Sequence, residues 1–353
     1  MRDQRPVASI DVIHVLPHAH TLGGTERTVL DLLDSTELKD IRQRVAFVHA
    51  GPHVSFPESA VLASREGGWQ RSPSTALNLA RARPTVVHGW LLQGNLVGAA
   101  TRILRPSTSL VSSERNLGHT LTPAKRQLER IVASLESVAT ANSSAVRDAA
   151  IQRLPQRERK MRVILPGIEV PLRPARVIRT TAVMIGRLHP IKDHSTALRA
   201  WALVRDANPD AVLTIVGDGR ERRGLEALSC SLGIENGVRF VGQTDPRPHL
   251  FGAQVYLSTS LAEGFSRSLL EAVLAGVPSI TTGVGGVTEI PPGALRLVPR
   301  GDHRAVAAAL EYVLGDADAQ ARAKKMSGIV GDQFSARSCH RAYRELYREL
   351  GVI

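Results

Sequence analysis

The chain has 353 residues, with 45 Lys and Arg against 33 Asp and Glu, a formal net charge of +12. Hydrophobic residues make up 43% and charged residues 22%, enough apolar material for two cores, which excludes a disordered chain. The only two cysteines, Cys230 and Cys339, exclude a disulfide framework and a Cys-rich zinc site and point to a reducing cytoplasm.

Short apolar runs alternate with helical patterns from the start, the signature of parallel α/β units. Residues 10–16 read as a strand, 24–34 as a helix and 44–50 as the next strand. A helical stretch at 74–83 leads into a strand at 85–90, and 92–104 is amphipathic again. The rhythm continues through 107–113, a helix from Pro123 to about Ala133, 137–143 and 162–167. Residues 166–180 contain three prolines and no clear period, so they read as a connection between domains. Strands are then expected at 181–188, 211–219, 237–243, 253–260 and 277–282, with helices at 193–206 and 267–276. From about His303 to Leu350 the pattern is mostly helical. The expected domains are 1–170, 171–335 and a terminal helix, 336–353, that crosses back to the first lobe. No apolar run approaches the ~20 residues of a membrane span. The first apolar segment is broken by Asp11 and His14, so no signal core is expected.

The positive excess is spread over both halves and forms no tail. Arginine far outnumbers lysine, which fits codon bias, and aromatics are only 4%, too few for base-stacking platforms. Nucleic acid is therefore not an expected partner. In doubly wound lobes, ligands lie beyond the carboxyl ends of the strands, so the loops that follow strands carry the functional candidates.

Four such loops stand out. Gly23 and Gly24 precede the first helix, where a bare backbone and free N–H groups suit an anion; a tight turn without a ligand explains them equally well. Arg187 and Lys192 follow the strand at 181–188 and are placed to grip a diphosphate, unless they are simply solvated cations. Glu263 and Glu271 lie eight residues apart, at most roughly 12 Å along a helix, with Gly264, Phe265 and Ser266 at the helix start between them. Glu271 sits among Leu269, Leu270, Ala272 and Val273, where an unpaired carboxylate is costly. His88 follows an apolar strand and is expected to point into a crevice, although a lone His is more often structural. Glu114, Arg115 and Asn116 follow the next strand, as substrate contacts or as a plain polar loop. Gly217, in a strand–helix turn, is a further candidate for the nucleotide. The pair His18 and His20 lacks a third ligand for a metal, and Asp316-Ala317-Asp318 falls between helices and reads as a turn.

Taken in order, these loops resemble the retaining glycosyltransferases of family four, also described as glycosyl transferases group 1. The resemblance runs over nearly the whole chain: the Gly-Gly loop, the His after a strand, S-S-E-R-N, G-R-L-H-P-I-K-D, V-G-D-G and the E-x7-E element. It implies an α/β GT-B fold, two doubly wound Rossmann-like lobes facing across a crevice. It implies transfer of a hexosyl unit from a nucleotide-diphosphate sugar to a glycan, lipid-linked or small-molecule acceptor, in polysaccharide or glycoconjugate biosynthesis. Arg187 and Lys192 would grip the diphosphate, Glu263 the transferred sugar, Glu271 the ribose, and His88 would face the reacting centre. Gly23, Gly24, Gly217, Gly264, Phe265 and Ser266 would line the donor, and Glu114, Arg115 and Asn116 the acceptor. No cofactor and no obligatory metal are implied. Two departures stand out: Pro166-Gly167-Ile168-Glu169 replaces the family's Asn-Gly turn, and Ser266 replaces a glycine.

A sugar-nucleotide 2-epimerase of the same fold and a basic non-enzymatic binding module are the alternatives. The first lobe's surplus cations, among them Arg102, Arg105, Lys125, Arg126 and Arg130, suggest an anionic membrane carrying a lipid-linked acceptor. The expected location is the cytoplasm, peripheral at the inner face of the membrane.

Overall fold

A computed structural model describes residues 11–18, 23–49, 56–63, 72–118 and 122–353. The chain divides into two compact units, Met1–Gly167 with Ala336–Ile353, and Ile168–Ser335.

The first unit is built on β1 (Val12–Leu16), α1 (Gly24–Leu33), β2 (Gln43–Phe47), β3 (Val61–Ala63), α2 (Ser72–Ala82), β4 (Val86–Trp90) and α3 (Leu91–Leu104). It continues with β5 (Ser109–Glu114), α4 (Pro123–Leu135), β6 (Val138–Ala141), α5 (Ser144–Arg153) and β7 (Met161–Val163). All strand pairs are parallel, in the order β3-β2-β1-β4-β5-β6-β7. Its central strands β1 and β4 are buried throughout because helices cover both faces, the arrangement that parallel connections impose. One face packs Val12, Leu16, Val45, Val86 and Trp90, and the other packs Ile13, Val15, Ala46 and Val87. The alternation along β1 is that of neighbouring side chains pointing to opposite faces.

The last helix, α12 (Ala336–Glu349), belongs to this unit. Cys339, Tyr343, Leu346 and Tyr347 recur at helical spacing and join the Val12–Trp90 cluster. The polar face is tied by Arg337 to Glu37 at 2.8 Å and by Arg344 to both Asp40 oxygens at 2.5 and 2.7 Å. A basic, otherwise unremarkable C-terminal pattern is thereby anchored by a buried tyrosine stripe.

Beneath β5 and β6 lies a cluster of buried charge. Arg157 is fully buried and donates to Glu136 (2.9 and 3.0 Å), Glu114 (3.0 Å) and Glu129 (3.2 Å). Arg153 adds a second guanidinium, 2.8 Å from Glu129. Burial pushes the Glu114 carboxyl up, and the Arg157 charge beside it pulls it back.

The second unit comprises β8 (Thr180–Ile185), α6 (His194–Ala207), β9 (Leu213–Val216), α7 (Arg222–Ser231), β10 (Val238–Gly242), α8 (Arg247–Leu250) and β11 (Ala253–Ser258). It ends with α9 (Arg267–Leu274), β12 (Ser279–Thr282), β13 (Arg296–Val298), α10 (His303–Leu314) and α11 (Ala319–Gln333). Its sheet is again parallel, in the order β10-β9-β8-β11-β12-β13. Trp201 and Leu198 of α6 and Val306 and Leu310 of α10 fill one face against Ala182, Leu213, Val255 and Ile280. Ile168 and Ser335 form a parallel bridge, and Ile168 N donates to Phe334 O at 3.0 Å, so the chain enters and leaves this unit side by side. The expected long helical tail is broken into α10, α11 and α12, with Asp302 capping α10 through Ala305 N at 2.9 Å.

The buried cluster sets the first prediction. Arg157→Ala leaves the buried Glu136 without its cation, while Glu129 keeps Arg153, and is expected to cost about 3–5 kcal/mol in urea unfolding; a loss under about 1 kcal/mol is expected only of a water-screened surface pair.

Candidate functional site

In both sheets the strand order reverses between the two central strands, β1 and β4 in the first and β8 and β11 in the second. Loops leaving the carboxyl ends of those strands diverge to opposite faces, which leaves an opening at the reversal point where ligands bind in open α/β sheets. In the second unit the loop after β8 carries Arg187 and Lys192, and the loop after β11 carries Glu263 through Ser266. The two sequence-distant motifs therefore meet at one place.

Their meeting is a direct contact. Lys192 Nζ pairs with Glu263 Oε1, and Ser260 Oγ donates to the same oxygen at 2.9 Å. The loops are also stitched by backbone: Leu261 N donates to Ile191 O at 2.8 Å, and Thr259 Oγ1 to Asp193 O at 2.8 Å. Asp193 sits in the left-handed region at φ 46° and caps α6, accepting from Thr196 Oγ1 and Ser195 Oγ at 2.7 Å each. Such a backbone costs roughly 1–2 kcal/mol and persists only where its surroundings over-determine it. Arg187 is exposed and has no ion-pair partner among the described residues.

Glycines close the walls. Gly217 has φ +138°, and a Cβ there would lie 2.0 Å from Gly186 O, so the turns after β8 and β9 touch backbone to backbone. This gives Gly217 a packing task of its own. Gly285, at φ +60°, would place a Cβ 2.0 Å from Glu263 O, and Gly286 N donates to Gly264 O at 2.8 Å. Phe265 lies over Gly286, with its ring centroid 5.5 Å from that of Phe334. Ser266 is the buried N-cap residue of α9, and its side chain makes no cap hydrogen bond. The first backbone N–H groups of that helix face the loop end, an electropositive terminus. Glu271 is half-buried and accepts from Arg267 Nε at 3.3 Å, which settles how a carboxylate sits between Leu270 and Ala272.

Sequence reasoning missed Ser260, Arg267 and the Gly285–Gly286 pair. The last had a legible signal, since G-V-G-G follows a strand just as the weighed glycine pair precedes a helix.

In the first unit the candidates are placed differently. His88 lies at the reversal point, opposite His14 on β1, but it is fully buried. Its Nδ1 shares a hydrogen bond with Tyr347 Oη and its Nε2 with Ser113 Oγ, both at 2.8 Å. Its ring stacks on Trp90 at 4.3 Å. The expected crevice-facing His is, in this structure, a satisfied core residue. Glu114 is committed to Arg157, which corrects its reading as a substrate contact. Arg115 donates to Thr28 Oγ1 at 2.8 Å and lies over the Trp90 ring. Exposed Asn116 accepts from Gly118 N at 3.0 Å and so shapes its own turn. Gly23 is the N-cap residue and Gly24 the first residue of α1; Leu22 and His20 lie outside the described residues. Arg102 donates to Ser137 Oγ, whereas Lys125, Arg126 and Arg130 are exposed on α4. Asp316 accepts from Asp318 N at 3.0 Å and pairs with Arg322, the turn expected there.

Two doubly wound Rossmann-like units in one chain, each with the strand order reversing near its centre, are the architecture of the GT-B fold. Residues 179–316, all in the second unit, match the family model described as Glycosyl transferases group 1. The structure is similar to that of HepE from Anabaena in complex with UDP-glucose, with a TM-score of 0.84 at 19% identity, covering 96% of this chain and 99% of that one. Sucrose-phosphate synthase from Thermosynechococcus elongatus gives a TM-score of 0.81 at 19% identity over 96% and 99%. In sequence, the lipopolysaccharide core biosynthesis glycosyltransferase LpsE of Rhizobium meliloti is 31% identical over 170 residues, 46% of this chain and 48% of LpsE. D-inositol 3-phosphate glycosyltransferase of Streptomyces coelicolor is 27% identical over 261 residues, 68% of this chain and 56% of that protein. The chain thus spans about half the length of these curated relatives.

The buried histidines make stability fall in acid. Trp90 Nε1 donates to His14 Nδ1 at 3.2 Å, so the neutral ring's other nitrogen donates to Gln43 Oε1 at 3.0 Å. Burial pushes the His14 pKa down from 6.5 to about 4. His88 is pushed down as well, by burial first and then by the His14 and Arg115 charges. The unfolded chain binds these protons more readily, so the stability is whole above the unfolded value and is lost as pH falls towards the folded one. Between pH 7 and 5 a histidine shifted like His14 is expected to remove about 2 kcal/mol. The denaturation midpoint should fall accordingly; an unchanged midpoint contradicts the neutral burial.

Proposed function

We propose that this protein is a retaining glycosyltransferase that moves a hexosyl unit from a nucleotide-diphosphate sugar to a saccharide, lipid-linked or small-molecule acceptor. The observation that carries the reading is the Lys192–Glu263 pair at the reversal point of the second sheet, at the loop that leads into α9, with exposed Arg187 on the same loop as Lys192. A departing nucleoside diphosphate takes up negative charge, and fixed cations and helix N–H groups stabilise it without reorganising. Arg187 supplies a forked donor and Lys192 a point charge. In this reading neutralisation falls to these groups and not to an obligatory metal.

Glu263 then orients the transferred sugar, and Glu271, held by Arg267, accepts from the ribose hydroxyls. The acceptor hydroxyl attacks from the leaving-group face, its proton passes to the departing phosphate, and configuration is retained. The likeness to LpsE supports a place in polysaccharide or glycoconjugate assembly. Among the described residues no helix is long and apolar enough to cross a membrane. The exposed Lys125, Arg126 and Arg130 of α4 are the surface we assign to anionic lipid, with exposed Ile131 beside them.

A panel of nucleotide sugars, read first by thermal stabilisation and then by transfer, tests the reading. With the best donor, Arg187→Ala and Lys192→Ala are each expected to lower kcat/KM about 100-fold or more. EDTA should leave turnover unchanged. Full activity in both variants overturns the assignment, and an isomerised donor sugar without transfer identifies an epimerase instead.

A further inference from the structure

At the carboxyl ends of β8 and β11 lies a small cavity lined on its polar side by Lys192, His194, Ser258 and Ser260 and on its apolar side by Met184, Ile185 and Leu257. One wall is a continuous polar chain. Ser258 Oγ lies 3.4 Å from Ser260 Oγ, Ser260 donates to Glu263, and Glu263 pairs with Lys192. His194 forms another wall. It is 4% exposed, and its Nδ1 is buried without a hydrogen-bond partner in the protein. A buried ring nitrogen left in this state is unfavourable, so its position calls for a partner that the protein itself does not supply.

The local backbone holds the imidazole there. His194 is the first residue of α6, immediately after the left-handed Asp193, whose carboxylate caps the helix and whose carbonyl accepts from Thr259. The same strained residue separates Lys192 from His194, so one turn sets the direction of both. Burial pushes the His194 pKa down to about 4, and the Lys192 charge adds to this, so the ring is neutral near pH 7 and adds no competing cation.

We propose that His194 is a positioning residue of the donor site: its Nδ1 hydrogen-bonds an oxygen in this cavity, and that bond fixes Lys192 for the diphosphate. The oxygen belongs to a held water or to the donor's phosphate. The inference rests on the donor reading above and adds to it a residue that acts through Lys192 where the oxygen is water and on the donor itself where it is phosphate.

Side-chain geometry supplies the test. Asn places an amide near the position of Nδ1, Gln places one near Nε2, and Leu keeps the bulk with no polar atom. Wild type, His194→Asn, His194→Gln, His194→Leu and Arg187→Ala are titrated with UDP, GDP and ADP, and their melting temperatures are recorded without nucleotide. For whichever nucleotide binds the wild type, His194→Leu and His194→Gln should weaken binding about tenfold, and His194→Asn should restore most of it. Melting temperatures should not follow that order. Crystals of the wild type with and without the nucleotide distinguish the sources: an oxygen on Nδ1 in both is water, and one only in the complex is phosphate.

Equal affinity for all three His194 variants and the wild type overturns the inference, as does an affinity loss that simply tracks melting temperature or a structure with no oxygen on Nδ1. A wild type that binds none of the three nucleotides, or an Arg187→Ala variant that binds as the wild type does, overturns the donor reading and this inference with it. A weak Arg187→Ala beside an unchanged His194→Leu overturns the inference alone.

Discussion

The constraint on which both units depend is the parallel connection. Each strand must be followed by a crossover before its parallel neighbour can be laid down, and the handedness of that crossover sends successive helices to one face until the strand order reverses. With β1 and β8 laid first in their sheets and β4 and β11 added on the other side, the loops at the reversal diverge. Everything chemically distinctive in the second unit follows from this. Residues 192 and 263 are far apart in the chain, yet β8 and β11 are hydrogen-bonded neighbours, and their carboxyl-end loops have nowhere else to meet.

The two units use the reversal point in opposite ways. In the first, His14, His88 and Trp90 share it with Tyr347 from the last helix, and the described polar atoms of both histidine rings are satisfied internally. Buried charge beside it is likewise compensated, since Arg157 is surrounded by three carboxylates. In the second, polar groups stop short of mutual satisfaction: Arg187 has no ion pair among the described residues, the Ser266 side chain makes no cap hydrogen bond, and His194 keeps a bare nitrogen. Unmet hydrogen-bonding capacity at a strand end is what a ligand can complete. The same capacity met internally makes a core.

That contrast also explains what the sequence revealed and what it concealed. The alternation of apolar runs with helical periods located β1, β4, β8, β11 and the helices that follow them, because fully buried parallel strands read as continuous apolar segments. The short edge strands β3 and β13 had no such signature, being three residues each and covered on fewer sides. Lys192 and Glu263 were legible because each is a charged residue in a loop that directly follows an apolar strand, β8 or β11. His88 and Glu114 passed the same positional test and were read as substrate-facing. Their burial depends on Tyr347 and Arg157, which lie 259 and 43 residues away, and no local pattern announces either partner. Arg267 and Ser260 were passed over for the complementary reason: each acts by holding a carboxylate already singled out, a role that exists only in three dimensions.

The placement of the positive charge follows the same logic. A net +12 is a property of the whole chain, but its chemical meaning depends on which cations have been spent. Arg153, Arg157, Arg337 and Arg344 are paired with carboxylates, Arg115 is engaged with Thr28 and Trp90, and Arg102 with Ser137. Pairing removes a cation's pull on a distant anion and leaves only its contribution to packing. Arg187 stands apart because it follows a central strand, has no carboxylate partner among the described residues, and shares its loop with a lysine whose own partner follows the neighbouring strand β11. An exposed cation at that address, without an ion pair among the described residues, is poised for an anion arriving from solution, whereas the same residue on α12 would merely have joined a surface pair.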